Sequence, residues 1–463
     1  MAAKDRSVYE IFTIRSNDGE KTIDLRGGIV SFSYFENVFS PMITAQVLVV
    51  STGNVIADED GDITSIYNGL PLRGGEKVSI KIPSNSENNV DLEFTEDNGN
   101  ELYVGSITNV LIEAEKEIFT LNLVSREAIT NETSRVGKKF PSTEPISDSV
   151  KEIIEKYLLS EKTLDFDETQ NPYGFIGNLK KPFTILTWLA AKSVPGSVSG
   201  KSATAGYFFY ETKEGYHFRS VDSLVSQEPY EFEYTYSPKV VDNKDPDADF
   251  KILKYETILN QNLIQNLERG AYCTYRMYYN PLSMGFTKPE QGTFRVSDYA
   301  EKMENLGKDF EIFLPPVDKT NKSLGDVPSR FMTGVLDFGT LEKKGSRARA
   351  KNADPMQYHS QALMRYNTIF TQQVEATIPL NTNLNCGSVI KCKFAKVTTD
   401  KTKVIDDEQS GLYMIKELVH YYEGRGSFTR LKLIRDTMGK KDKWLKIIYY
   451  KAIFLEEMDF VGG

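Results

Sequence analysis

The strongest constraint in this sequence of 463 residues is a run of strand-like segments that occurs twice. FTLNLVSRE at Phe119–Glu127 and FTRLKLIRD at Phe428–Asp436 both open with Phe-Thr. Both alternate apolar with polar through Leu121 and Leu123 or Leu431 and Leu433, and both close with an arginine followed by an acid. Alternation with a period of two makes each a strand with one buried face. The preceding segments agree in order and spacing. YVGSITNV from Tyr103 and YMIKELVH from Tyr413 begin 16 and 15 residues before the respective phenylalanines, and GEKVSIKI from Gly75 and GSVIKCKF from Gly387 begin 44 and 41 before them. Three strands in one order at nearly one spacing predict an internal duplication.

The second copy's opening is set by KYETI at Lys254–Ile258 against SYFENV at Ser33–Val38, with YCTYRMYY at Tyr272–Tyr279 answering TAQVLVV at Thr44–Val50. That alignment leaves an insertion from about Thr293 to Phe370. In it SDYAEKMENLGKDF and DPMQYHSQALMRYNTIF read as helical, the latter with Tyr358, Ala362 and Tyr366 at helical spacing. Between the copies, Ser147 is expected to cap a helix whose stripe is Val150, Ile153, Ile154, Tyr157 and Leu158. Pro182 opens a second helix in which Trp188 should be buried. AGYFFYETKEGYHFRSVD then reads as a hairpin turning at Gly215.

The resulting organisation is α+β and mainly β. It comprises two duplicated antiparallel strand domains, residues 1–128 and residues 238–292 with 371–437. An α+β domain with two helices and a hairpin spans 129–237, a partly helical insertion 293–370, and a C-terminal extension 438–463. The abundance of aromatic residues, 25 Tyr and 26 Phe, fits a sheet-rich chain.

Several function classes recede on composition. A formal net charge of −9 offers no basic footprint for stable nucleic-acid binding. Three scattered cysteines, Cys273, Cys386 and Cys392, fit core thiols in a reducing compartment better than a disulfide framework. The N-terminus lacks a basic-then-apolar signal run, and no apolar stretch is long enough for a membrane span, so stable membrane insertion is not expected.

Candidate chemistry is sparse. Asp245, Asp247 and Asp249 with Glu256 partly match a calcium loop, but Phe250 stands where the loop needs glycine and Glu256 falls in the KYETI strand. A solvated acidic loop is the simpler reading, and the same holds for Asp58, Glu59, Asp60 and Asp62. The three histidines, His217, His359 and His420, lie in different segments. GSVSG at Gly196–Gly200 puts Val198 where a nucleophile elbow needs serine, and neither a P-loop nor a His-Glu-x-x-His occurs. No cofactor is implied and no enzyme is indicated.

The ordered series SYFENVFSPMITAQVLVVST, LPLRGGEKVSI, FTLNLVSREAITNE, KKPFTILTWLA, AGYFFYETKEGYHFRSVDSL and SGLYMIKELVHYY with LKLIRDT resembles the T4-type contractile phage baseplate central hub family. That family is structurally akin to the N-terminal part of type VI secretion spike proteins. The resemblance runs to about residue 437. It implies two tube domains of β-barrel type and a homotrimer that adapts a six-fold tail tube to a three-fold spike. It also implies a channel through which DNA passes on ejection without specific binding. Implied partners are the tail spike protein, tail tube or tube-initiator proteins and other baseplate subunits, in a virion assembled in the host cytoplasm. The strands around Gly75, Tyr103, Phe119, Leu121, Leu123, Gly387, Tyr413, Phe428, Leu431 and Leu433 would form the tube wall, with Asn122 and Lys432 facing outward. Trp444, Ile448 and Leu455 in the C-terminal extension are candidates for partner docking. A type VI or extracellular contractile injection system is the alternative machine. A cell-wall hydrolase or carbohydrate-binding tail protein is the alternative of another class.

Overall fold

The computed structural model describes residues 3–52, 56–57, 63–70, 72–113, 116–196, 203–236, 247–308, 323–337, 358–396 and 405–439. The chain is mainly β with α+β character. Its first part supplies β1 (Ile11–Arg15), β2 (Thr22–Asp24), β3 (Ile29–Asn37), β4 (Thr44–Ser51), β5 (Lys77–Ile82), β6 (Leu102–Ile112) and β7 (Glu117–Val124). These pair in the order β3-β4-β7-β6-β5-β1-β2, every neighbour antiparallel. In each strand the alternate residues face one core, with Phe12, Phe32, Val47, Val78, Phe119 and Leu121 fully buried.

The middle region supplies α1 (Ile146–Ile153), α2 (Pro182–Ala190), the hairpin β8 (Tyr207–Thr212) and β9 (Gly215–Ser220), and α3 (Val221–Ser226). Pro182 does open α2, and Val150, Ile153 and Ile154 do face the core. Two details differ from expectation. The first helix starts at Ile146 with Pro145 at the cap, so Ser147 is buried inside the first turn, where its backbone N–H donates to Thr169 Oγ1 at 2.9 Å. Trp188 is 39% exposed. Its ring rests edge-on against Tyr173 and Phe175 at the rim of the core, since α2's buried side is taken by Ile185, Leu186 and Leu189.

The second strand set is β10 (Glu233–Tyr236), β11 (Lys251–Ile252), β12 (Lys254–Asn260), β15 (Gln372–Pro379), β16 (Val389–Lys393), β17 (Gly411–Glu423) and β18 (Gly426–Arg435). Between β12 and β15 lie β13 (Cys273–Asn280), β14 (Arg330–Val335) and α4 (Tyr358–Thr368). The pairing order is β12-β15-β18-β17-β16-β10-β11, position for position that of the first set. One strand departs from the expected antiparallel pattern: β10 runs parallel to both β16 and β11.

This order corrects the strand alignment in two places. The counterpart of β4 is β15, whereas YCTYRMYY forms β13 in a separate four-stranded sheet. The insertion therefore starts directly after β12. Within it, the SDYAEKMENLGKDF segment makes two short 3-10 turns, Val296–Asp298 and Ala300–Lys302, and the expected second helix is α4. The second correction concerns Phe428. Phe119 and Leu121 are two apart and share the core face, but Phe428 and Leu431 are three apart and must face opposite ways. Phe428 accordingly stacks on Tyr421 outside, 5.1 Å between ring centres, and Thr429 is the fully buried residue.

The two sets are fused. β3 pairs with β17 over seven residues, from Asn37 with Glu417 to Ser31 with Glu423. β17 serves β16 with its first residues and β3 with its last, and a register shift against β18 between Ile415 and Glu417 marks the changeover. A bulge there increases the local twist and lets one strand edge serve two sheets. Packing crosses the same line, because Tyr422 and Leu380 are buried in the first core and Val38 in the second.

Candidate assembly site

The residues that hold the parts in one arrangement cluster where β3, the β8–β9 turn and the loop before β16 meet. On β3 the core-facing positions are Phe32, Tyr34 and Glu36, so the period of two carries a carboxylate inside, where it is 3% exposed. One Glu36 oxygen accepts from Cys386 N–H at 2.7 Å, the other from Lys213 N–H at 3.0 Å and from the Tyr34 hydroxyl at 2.8 Å. Glu36 thereby ties the first strand set to the middle domain and to the second set. Two glycines make the approach possible. Gly215 (φ +135°) ends the turn where a Cβ would collide with the Thr163 carbonyl, and Gly387 (φ +83°) sits where a Cβ would collide with the Tyr210 hydroxyl. Beside this point His420 stacks on Tyr34, its Nδ1 2.9 Å from Thr429 Oγ1, and burial keeps its ring neutral.

Two further buried charge clusters pin the middle domain. Lys162 Nζ lies 2.8 Å from Glu127 and 2.5 Å from Glu211, and Glu211 also accepts from Ile43 N–H and the Ser125 hydroxyl. Burial pushes Glu127 up, yet the Lys162 charge and hydrogen bond bring it below the ordinary carboxylate range. Burial prevails at Glu211, which stands above that range. Arg365 on α4 is fully buried between Asp222 on α3, 2.7 Å away, and Asp436 after β18, 3.0 Å away. The insertion's helix is thus locked to both the middle domain and the second strand set.

Glu36 also stands above the ordinary carboxylate range, because burial disfavours its charge by more than its hydrogen bonds restore. Between the ordinary and the raised value the native state holds a proton that the unfolded chain has released. Stability from this group therefore falls as pH rises through that window and is level above it. We expect the unfolding free energy of the wild type, minus that of Glu36→Gln, to decline from about pH 4 upward and then flatten. Urea denaturation across the window measures it, and a difference that grows with pH would contradict the assignment.

The outward faces of the two sets differ. On the first, Asn122 bonds Gln46, Ser106 and Thr108, an uncharged ladder across β4, β7 and β6. On the second, Lys432 pairs with Glu417 at 2.6 Å and Arg430 pairs with Glu375. Asn122 and Lys432 thus point outward as expected. At the end of the β6–β7 hairpin, Val110, Leu111 and Ile112 are exposed.

The remaining sequence candidates are placed as follows. Leu121, Leu123, Tyr413, Leu431 and Leu433 are buried, and Gly75 precedes β5 with φ +93°. Cys273, Cys386 and Cys392 are free and buried. Of the acidic loop, Asp249 accepts from Ala3 N–H and from the Ser86 hydroxyl, and Glu256 sits on β12 opposite Glu375. Asp245, the acidic run at Asp58–Asp62, and Trp444, Ile448 and Leu455 lie outside the described residues. Among the described residues no three His, Cys, Asp or Glu side chains converge as metal ligands, and no helix is long and apolar enough to cross a membrane. Sequence reasoning missed Glu36, Lys162 and Arg365. Only Glu36 carried a signal, its place in the buried phase of SYFEN.

No protein-family model matches the chain. It is 20% identical over 343 residues to the probable baseplate hub protein gp334 of Vibrio phage KVP40, covering 72% of this chain and 73% of that one. Its fold is shared with a 43 kDa tail protein of prophage MuSo2 from Shewanella oneidensis (TM-score 0.50, 8% identity, 92% of this chain and 99% of the other). A tail protein from Neisseria meningitidis matches comparably (TM-score 0.51, 10% identity, 93% and 97%). The resemblance to baseplate hub proteins read from the sequence therefore stands.

Proposed function

From this similarity to a phage baseplate hub protein we propose that the chain is a structural hub subunit of a contractile tail baseplate, located in the virion tail, with no enzymatic role. The observation that carries the reading is one strand order used twice and fused along the β3–β17 seam. Each set begins and ends on adjoining segments, β2 with β3 and β11 with β12, and we read each as a tube domain of barrel type.

Three such chains would present six similar units around an axis, which suits a six-fold tube on one side and a three-fold spike on the other. A continuous hydrogen-bonded seam supports this role because it fixes the angle between the two units, and a ring closes only if that angle is constant. The spike and the tube or its initiator would be the axial partners. Along β3, β4 and β7 the outward positions Ser31, Ser33, Gln46, Leu48 and Asn122 carry no cation. Turned to a channel, that face would let DNA slide without phosphate contacts.

Co-expression with the spike followed by light-scattering mass measurement tests the proposal. The expected particle contains three copies of the 52.4 kDa chain. A chain that stays monomeric with and without the spike, in every buffer, would sink it.

A further inference from the structure

The insertion carries a buried cation that nothing in the hub reading uses. Arg276 lies in the middle of β13 and is 0% exposed. Its Nη1 donates to His359 Nδ1 at 2.9 Å, while among the described residues Nε and Nη2 have no hydrogen-bond partner. These two nitrogens form the edge of the guanidinium that binds a carboxylate with two parallel hydrogen bonds. Two residues back on the same strand, and so on the same face, the buried Thr274 hydroxyl also lacks a partner. The aromatic and aliphatic side chains of Tyr272, Phe294, Val296 and Met364 form the core next to this strand. Among the described residues no carboxylate acts on Arg276; the Tyr278 side chain, two residues on along the same face, lies within polar reach of the guanidinium, and the nearby charge is Arg330, of the same sign. A buried cation without a counter-charge and with its bidentate edge unfilled is costly, and native structures neutralise such groups.

We propose that Arg276 and Thr274 form a binding site for a carboxylate. Nε and Nη2 would take its two oxygens, and the Thr274 hydroxyl would donate to one of them. His359 explains both charge and access. Its Nδ1 accepts from an arginine, which cannot accept in return, so the ring is neutral. Burial and the adjoining Arg276, Lys192 and Arg330 charges agree, pulling the imidazole down to about 4. With His359 neutral, the guanidinium is the one cation that offers its hydrogen-bonding fork to the ligand, and two parallel donors match the two oxygens of a carboxylate. His359 stands in the first turn of α4, exposed as a residue but with its Nδ1 edge turned in to Arg276, so its ring separates the guanidinium from solvent.

The test is thermal unfolding of the full chain at neutral pH and constant ionic strength, titrated with formate or acetate against chloride and phosphate. The wild type should gain melting temperature saturably with the carboxylates only. Arg276→Met should lose the response and melt at or above the wild type in chloride, because it removes an uncompensated charge. Thr274→Val should bind roughly tenfold more weakly. Should Arg276→Met fail to fold, Arg276→Lys keeps the charge without the planar fork and must lose the carboxylate preference. A blocked aspartate, N-acetylated and amidated, distinguishes the source. Tighter binding than acetate marks an acidic side chain as the ligand, and weaker binding marks a small free acid. No response to carboxylates, an equal response to phosphate, or an unchanged response in Arg276→Met would overturn the proposal, leaving a water-filled site.

Discussion

Replacing Glu36 with alanine is expected to destabilise the chain by about 3–6 kcal/mol, from three buried donors left without an acceptor at about 1–3 kcal/mol each, less what relaxation recovers. The donors are Cys386 N–H, Lys213 N–H and the Tyr34 hydroxyl, on three different parts of the chain. The loss should therefore appear as uncoupling as well as weakening. In urea the middle domain's aromatic signal should separate from that of the strand sets, whereas in the wild type the two signals should change together. Hydrogen exchange at Lys213 and Cys386 should rise first. A variant that unfolds in one transition within about 1 kcal/mol of the wild type would show that Glu36 is a passenger and not the tie.

Replacing Arg365 with methionine should cost about 3–5 kcal/mol, the range found when one partner of a buried ion pair is removed and the other stays charged. Methionine fills much of the same volume, so the cost is electrostatic and not a cavity. Asp222 and Asp436 would remain buried without their cation, although Asp222 keeps the Thr204 hydroxyl and N–H, and Asp436 keeps Leu306 N–H. Adding Asp222→Asn and Asp436→Asn to Arg365→Met should recover a large part of the loss, because the neutral amides no longer need a counter-charge. Chemical denaturation of the single and combined variants decides the matter. If the combined variant is no more stable than Arg365→Met, shape and not charge is what Arg365 contributes.

The strand sets were legible because a strand's buried face has a period of two that survives divergence of the residues themselves. Leu121, Leu123, Leu431 and Leu433 announce it, and all four are buried. The same rule, applied strictly, would have moved Phe428 outward and put Thr429 inside, since an odd spacing to Leu431 reverses the face. It would also have flagged Glu36 as a carboxylate in a core phase. The misassignment of β13 has a different cause. Aromatic alternation in YCTYRMYY marks a strand without saying which sheet it joins. In the structure it pairs with β14, whose first residue lies 50 positions after the last residue of β13.

Local pattern alone carried the mainly β, α+β character of the chain and the recurrence of one strand order in two series. Each of these follows from local periodicity and the order of segments along the chain. The joining of the copies through β3 and β17, the burial of Arg365 between α3 and the end of β18, and the empty guanidinium edge at Arg276 were decided by tertiary structure alone. Their physical reason is common. Pairing across a seam, and the neutralisation or isolation of a charge, depend on which groups meet after packing has removed water, and residues 143 or 380 positions apart leave no local trace of that meeting.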